Sequence, residues 1–221
     1  MLMRDVEVRK AIDSGKLELR PFDPAKLQGA SYDLAIGGEA LVSNSDQKLV
    51  LAAGSSTCLT LKAGDFALVL TREYVKMPLD IAADIGMRST LARKGLMLLA
   101  GMQIDPAFEG HLRFGLYNAS PRRITLDYDD DLCSIEFHQL SGPVDHPQPP
   151  IPELQKGRIP ESDRDFLRSL ETESLSDLSR NVKSLSQNME ALTKLTYRVV
   201  VPAIVTILGG VIAAVIIGLL K

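Results

Sequence analysis

The sequence predicts a mainly β fold, a barrel or sandwich of short strands, followed by a long α-helix and one transmembrane helix. Three observations carry this expectation. Short apolar runs, each bounded by Gly, Pro, Asn or Asp, recur from Leu34 to Phe137, which is the pattern of many short strands joined by turns. Apolar residues then recur in steps of three and four from Leu175 to Leu192, as along one face of a helix. Last, Val199 to Leu220 is apolar apart from Thr206, Pro202 and its glycines, about the ~20 residues a helix needs to cross a bilayer.

The first zone is residues 1–142. It opens with an expected helix, Asp5 to Ser14, whose inner face is Val6, Ala11 and Ile12. Beyond Pro21 come the apolar runs Leu34–Ile36, Leu49–Ala52, Cys58–Leu61, Phe66–Leu70, Leu112–Leu116, Ile124–Leu126 and Leu132–Phe137. A domain of ~140 residues is long enough to bury a substantial core. With 5% aromatic residues and no Trp, that core is built mainly from Leu, Ile, Val, Ala and Met.

The second zone, residues 143–160, holds half of the chain's 12 prolines and reads as an extended linker. The third, residues 161–198, carries Leu175, Leu178, Val182, Leu185, Met189 and Leu192, with Thr196 continuing the series. This a/d spacing suits a self-associating coiled coil. One amphipathic helix lying against the domain is the alternative. The fourth zone, residues 199–220, is the transmembrane tail. Its small residues four apart (Gly209 with Ala213, Gly210 with Ala214, Ala214 with Gly218) allow close helix packing in lipid. A helix buried in a soluble core is the alternative there.

Lys194 and Arg198 flank the tail and favour the cytoplasmic face for everything before it. The N-terminus has no apolar core of signal-peptide length. The net charge of −3 argues against nucleic acid as a partner. Cys58 and Cys133 are isolated, without a metal-ligand spacing, so no metal-binding residue is expected and the thiols read as inert.

The segment richest in chemistry is Met87 to Asn118, with RSTLAR, then IDPAFEGHL, then Asn118. It resembles the dCTP deaminase and dUTPase superfamily, whose members share RSSLAR or RSGLA followed by an ID-Gly-aromatic-x-Gly segment. LQGASYDLAIG and HQLSGPV are similar to the start and end of the deaminase barrel, and ELQKGRIPES to the deaminase lid, with Leu154 where that lid usually has Tyr. The resemblance covers roughly residues 3–143.

The resemblance implies a distorted jelly-roll-like β-barrel and a homotrimer with pyrimidine-nucleotide sites between subunits. A trimeric head would gather three tails and seed the coil. Carried over by position, Arg88, Ser89 and Arg93 would hold the triphosphate, an arginine fork suiting phosphate oxygens. Asp105 would lie by the sugar and α-phosphate, where a dUTPase uses it to orient water. Phe108 would stack under the deoxyribose, and Mg2+ would ride on the phosphates with few protein ligands.

Three departures weigh against the family's chemistry. Deaminases place a proton-shuttling Glu ten residues after the Asp, where this chain has Gly115. General acid–base work of that kind contributes roughly 10²–10⁴ in rate. In DYDDDLCSIEF, Ser134 replaces a phosphate-holding Gln, and Asp129, Asp130 and Asp131 crowd the strand entrance. The glycine-rich arm that closes dUTPase sites is absent. The expected function is therefore a membrane-anchored nucleotide sensor or membrane effector, suited to antiviral defence or stress, with degenerate catalysis. Alternatives are a dUTP or dCTP hydrolase acting through Asp105, and a plain membrane tether.

Overall fold

The computed structural model describes residues 1–43, 48–99, 101, 103–169, 175–195 and 198. Helix α1 (Asp5–Asp13) is followed by β1 (Glu18–Arg20), β2 (Tyr32–Val42), β3 (Leu49–Val50), β4 (Leu59–Leu61), β5 (Phe66–Lys76) and β6 (Ile81–Met87). The one-turn helix α2 (Ser89–Ala92) leads to β7 (Leu96–Leu99), β8 (Gln103–Ile104), β9 (Glu109–Asn118), β10 (Ile124–Leu126) and β11 (Asp131–Gln139). Helices α3 (Pro152–Gln155), α4 (Glu161–Ser169) and α5 (Leu175–Leu195) complete the order.

All seven apolar runs fall on strands. The main sheet is antiparallel, in the order β7-β9-β5-β2-β11-β6-β8, with β1 on β5 and β3 on β2; β10 and β4 form a second, two-stranded ladder. Register shifts interrupt β2 on β5, β5 on β9 and β11 on β2. Such bulges bend strands and increase twist, and the sheet forms an open half-barrel, its end strands β7 and β8 not pairing with each other among the described residues. Inside lie fully buried Tyr32, Leu34, Ile36, Leu59, Leu61, Val69, Leu116 and Phe137. Two expectations about α1 change. Its buried residues are Val8 and Ala11, whereas Val6 is exposed, because Val8 and Ala11 are three apart and share a face.

The expected linker also differs. Leu154 and Ile159 are buried and join Leu41, Leu70 and Leu167 in a second apolar cluster. Gly110 permits this. A Cβ there would meet the backbone of Leu154 and Gln155 at 3.0 and 3.1 Å, and its φ of +145° is one that L side chains rarely adopt. Helix α4, which lies in the zone 161–198 expected to be a coiled-coil helix, belongs to the same compact unit, Met1–Ser176. Arg164 on α4 pairs at 2.9 Å with buried Glu39, which Lys48 also contacts at 2.7 Å, and Asp163 pairs with Arg113.

The remainder forms a separate unit and is described by itself. Along α5, Val182, Leu185, Met189 and Leu192 are all exposed, between 59% and 68%. The side chains of Leu175 and Leu178, Thr196 and the whole expected transmembrane segment 199–220 lie outside the described residues. Among the described residues, no helix is long and apolar enough to cross a membrane.

Candidate functional site

Arg88 sits where β6 leaves the sheet. Its backbone is extended and its amide donates to the Leu132 carbonyl at 3.3 Å. Leu91, buried, pins the turn of helix that follows, and Ser89 is exposed at its start. The Arg88 guanidinium donates from Nη1 to Asp33 and, at 2.7 Å, to Asp131 Oδ2. Its Nη2 and Nε edge has no recorded protein partner among the described residues, so a fork remains for phosphate oxygens.

Asp33 is the centre of this cluster. It is 4% exposed, and accepts from Gln28 Nε2 at 2.9 Å and from the Ser134 hydroxyl at 2.6 Å. The serine that replaces the dUTPase glutamine is therefore turned to a structural carboxylate. The sequence gives no cue to Asp33 and Gln28 beyond their place in LQGASYDLAIG. A buried carboxylate needs such partners, since an unpaired buried charge is costly.

The crowded aspartates are answered by cations rather than left to repel one another. Lys26 Nζ lies 2.8 Å from Asp131 and 3.5 Å from Asp129. Arg72 reaches both Asp129 and, at 2.9 Å, Glu73. Asp130 accepts the Asp127 amide at 2.8 Å, closing a turn. Glu73 is wholly buried. Burial pushes its pKa up, and the Ala35 amide and Arg72 act against that rise.

Asp105 lies elsewhere. It follows β8, which pairs with β6 at Ala83 and Asp84, at the end of β6 far from Arg88. With about six residues between them at about 3.3 Å each, the two are roughly 20 Å apart along the strand. One chain by itself does not bring them together. The Asp105 carboxylate is exposed, and its carbonyl accepts the Phe108 amide at 3.2 Å. Ala107, standing where the family has Gly, has φ +66°, a conformation that suits glycine. Phe108 is half-buried and packs against both apolar clusters, the behaviour of a core aromatic.

Gly115 is on β9 opposite Leu99 and Leu68. A Cβ there would meet the Leu99 carbonyl oxygen at 2.6 Å and the Phe66 ring at 2.8 Å. The space beside it holds Arg113 and Asp163, which are paired. No side chain can be added at this position without moving a strand.

Arg93 does not join Arg88. It caps the end of α2 and lines a separate cavity with Lys94, Arg122 and Arg123. Asn118 is fully buried and structural: its amide donates to the carbonyls of Leu61 at 3.0 Å and Arg122 at 2.7 Å. Among the described residues, no group of three or more His, Cys, Asp or Glu is arranged to hold a metal ion.

The family described as dCTP deaminase-like matches residues 2–140. The dCTP deaminase of Thermococcus kodakarensis is 37% identical over 147 residues, covering 66% of this chain and 88% of its own. The dUMP-forming dCTP deaminase of Aquifex aeolicus is 27% identical over 168 residues, covering 72% of this chain and 93% of its own. Among solved structures, the 2'-deoxycytidine 5'-triphosphate deaminase of Agrobacterium tumefaciens superimposes with a TM-score of 0.51 at 20% identity over 62% of this chain. The chain spans 47% of that protein's length, and the likeness is one of fold.

Proposed function

Because the chain belongs to the dCTP deaminase-like family, we propose that it binds a pyrimidine deoxynucleotide and does not deaminate it, acting as a nucleotide-responsive membrane protein. The observation that carries this reading is the filled space at Gly115. Deamination needs a group that takes a proton from water and returns one to the leaving amine. Glycine supplies none, the Leu99 carbonyl, 2.6 Å from where a Cβ would stand, leaves no room for a side chain at this position, and the neighbouring Asp163 carboxylate is paired with Arg113.

Binding is proposed at Arg88, through its Nη2 and Nε edge, with Ser89 beside it and Asp105 contributed by another subunit, Phe108 serving as core packing behind that aspartate. The roughly 20 Å between Arg88 and Asp105 within one chain is what a site shared between copies requires. A homotrimer is the proposed assembly. Magnesium would arrive on the nucleotide phosphates. The acidic residues near Arg88 fit this, since Asp129 and Asp131 are already paired with Lys26, Arg72 and Arg88.

Residues 143–160 are proposed as a strap whose second half packs on the half-barrel. The exposed stripe Val182, Leu185, Met189 and Leu192 supports self-association through α5, and residues 199–220 are proposed to anchor the assembly in a membrane with the head in the cytoplasm. Nucleotide occupancy at a site between subunits would then change how the three helices meet, which suits a defence effector.

One observation favours a second reading. The Asp105 carboxylate is exposed and has no recorded side-chain partner among the described residues, as a water-orienting group in a pyrophosphate-releasing hydrolase would be. The two readings part on one experiment. Thermal unfolding of the full chain is followed with dUTP and dCTP, and released pyrophosphate is assayed in parallel. A ligand at a hundred times its Kd adds roughly 2.7 kcal/mol. The sensing reading expects that stabilisation, diminished in Arg88→Lys, with no pyrophosphate. Pyrophosphate that vanishes in Asp105→Asn selects the hydrolase, and no stabilisation by either nucleotide removes both.

A further inference from the structure

The cavity that Arg93 lines has a character of its own. It measures about 700 Å³ and is walled by Arg93, Lys94, Arg122 and Arg123 together with Gly95, Ser120, Pro121, Ile124 and Thr125. All four cations are exposed. The ion pairs recorded among the described residues include none of them, although the chain as a whole carries a net charge of −3. Lys26, Arg72, Arg88, Arg113 and Arg164 face carboxylates. Exposed Lys10, Lys62, Lys156 and Arg158, which like the four cavity cations are in no recorded ion pair, do not gather in one cavity with them. Among the described residues, no carboxylate lines this cavity.

The cavity is also rigidly built. Gly95 and Ser120 are in close contact, a Cβ on the glycine meeting the serine Cβ at 2.7 Å. The Ala119 amide donates to the Gly95 carbonyl at 2.9 Å. Buried Asn118 clamps the loop by accepting from the Ser120 amide at 3.0 Å and hydroxyl at 2.8 Å while donating to the Arg122 carbonyl. Buried Ile124 then fixes the chain at the start of β10. Holding like charges together without counterions raises the local potential, and a prefixed loop lowers the ordering cost of a ligand.

We propose that this cavity is a second anion site, for a compact ligand bearing two or more adjacent phosphates. Four cations exceed what one phosphate neutralises, and the volume is in the range of small-molecule sites. Guanidinium forks at Arg122 and Arg123 suit phosphate oxygens. Lys94, Arg122 and Arg123 carry the proposal, so it does not rest on the nucleotide reading of Arg88. Such phosphates occur both on free polyphosphates and on lipid headgroups.

The test uses the full chain, with inorganic tripolyphosphate as one probe and vesicles carrying phosphatidylinositol 4,5-bisphosphate, whose headgroup bears adjacent phosphates, against phosphatidylcholine, as the other. Saturable tripolyphosphate binding is expected. It weakens with added salt as exposed charges are screened. Charge-assisted bonds are worth roughly 1.5–3 kcal/mol each, so Arg122→Glu with Arg123→Glu should weaken it by at least about tenfold, while the distant Lys10→Glu leaves it unchanged. If the double variant fails to fold, Lys94→Gln is read in its place, with a smaller loss. Adsorption to phosphatidylinositol 4,5-bisphosphate that needs Arg122 and Arg123, without tripolyphosphate binding, identifies a headgroup as the source. Binding indifferent to the double variant, or no binding of either probe, overturns the proposal. So does tripolyphosphate binding that is lost in Arg88→Lys, since that places the anion in the other crevice.

Discussion

The carbonyl oxygen of Leu99 lies 2.6 Å from the point that a Cβ on Gly115 would occupy. Two paired strands thus close over the position from which a deaminase would move its proton. The loss is one of space as well as of a carboxylate, and several outcomes follow from it and from the surrounding geometry.

Restoring the carboxylate should not restore deamination. Overpacking a filled site costs about 1–3 kcal/mol, so Gly115→Glu should lower the urea midpoint and leave the slope of the transition unchanged. Urea unfolding with a parallel assay for deaminated product checks this. A stable variant that deaminates dCTP would show that β7 yields more readily than the packing implies.

Ala107→Gly should stabilise the half-barrel. The alanine is held at φ +66°, where an L residue loses roughly 1–2 kcal/mol and glycine gives back part of that gain through its greater freedom when unfolded. The net expectation is a gain of about 0.5–1 kcal/mol, read from thermal or urea unfolding. A loss would mean that the methyl group contributes packing beside Phe108.

His111 should make the fold sensitive to acid. Its Nδ1 meets the Thr71 carbonyl at 2.9 Å, and burial lowers its pKa from the usual 6.5, with nearby Arg20 acting in the same direction. The unfolded chain therefore takes up the proton first. The stability that His111 contributes is complete above about pH 6.5 and is lost as pH falls through the lowered folded-state value. His111→Gln should flatten that part of the stability curve, as measured by unfolding between about pH 4 and pH 8. An unchanged slope would assign the acid sensitivity to other groups.

The α5 stripe should meet its own copies. Under mild oxidation, Leu185→Cys in the full chain should give covalent dimers on a gel, whereas Lys183→Cys, off the seam, should give few. Of the native thiols, Cys133 gives little background, being buried with its pKa pushed up by that burial, and half-buried Cys58 is changed to Ser in both variants. Equal cross-linking at both positions would mean that the stripe is not a seam.

How much of this was legible depends on how local the signal is. The apolar runs marked seven strands because each is short and bounded by turn residues, even where, as in β2, the strand is buried almost throughout and shows no alternation. Strand β6, IAADIGM, escaped notice because its small residues and central Asp84 break up its apolar run. Strand β7 is buried mainly through Leu96, its other residues being partly or fully exposed. Leu154 and Ile159 stood alone among prolines, and nothing local shows that they meet Leu41 and Leu70 across the fold. The missing carboxylate at Gly115 could be read directly, but the strand filling its place could not. The overall charge of −3 also concealed the cations at Arg93, Lys94, Arg122 and Arg123, which sit together only after β7 pairs with β9 and brings two loops side by side.

Titration calorimetry of the full chain with dCTP tests the central claim most directly. Binding without deamination predicts heat at each injection that returns to baseline and saturates. A baseline that stays displaced while uracil nucleotide accumulates, or no heat at any concentration, would contradict it.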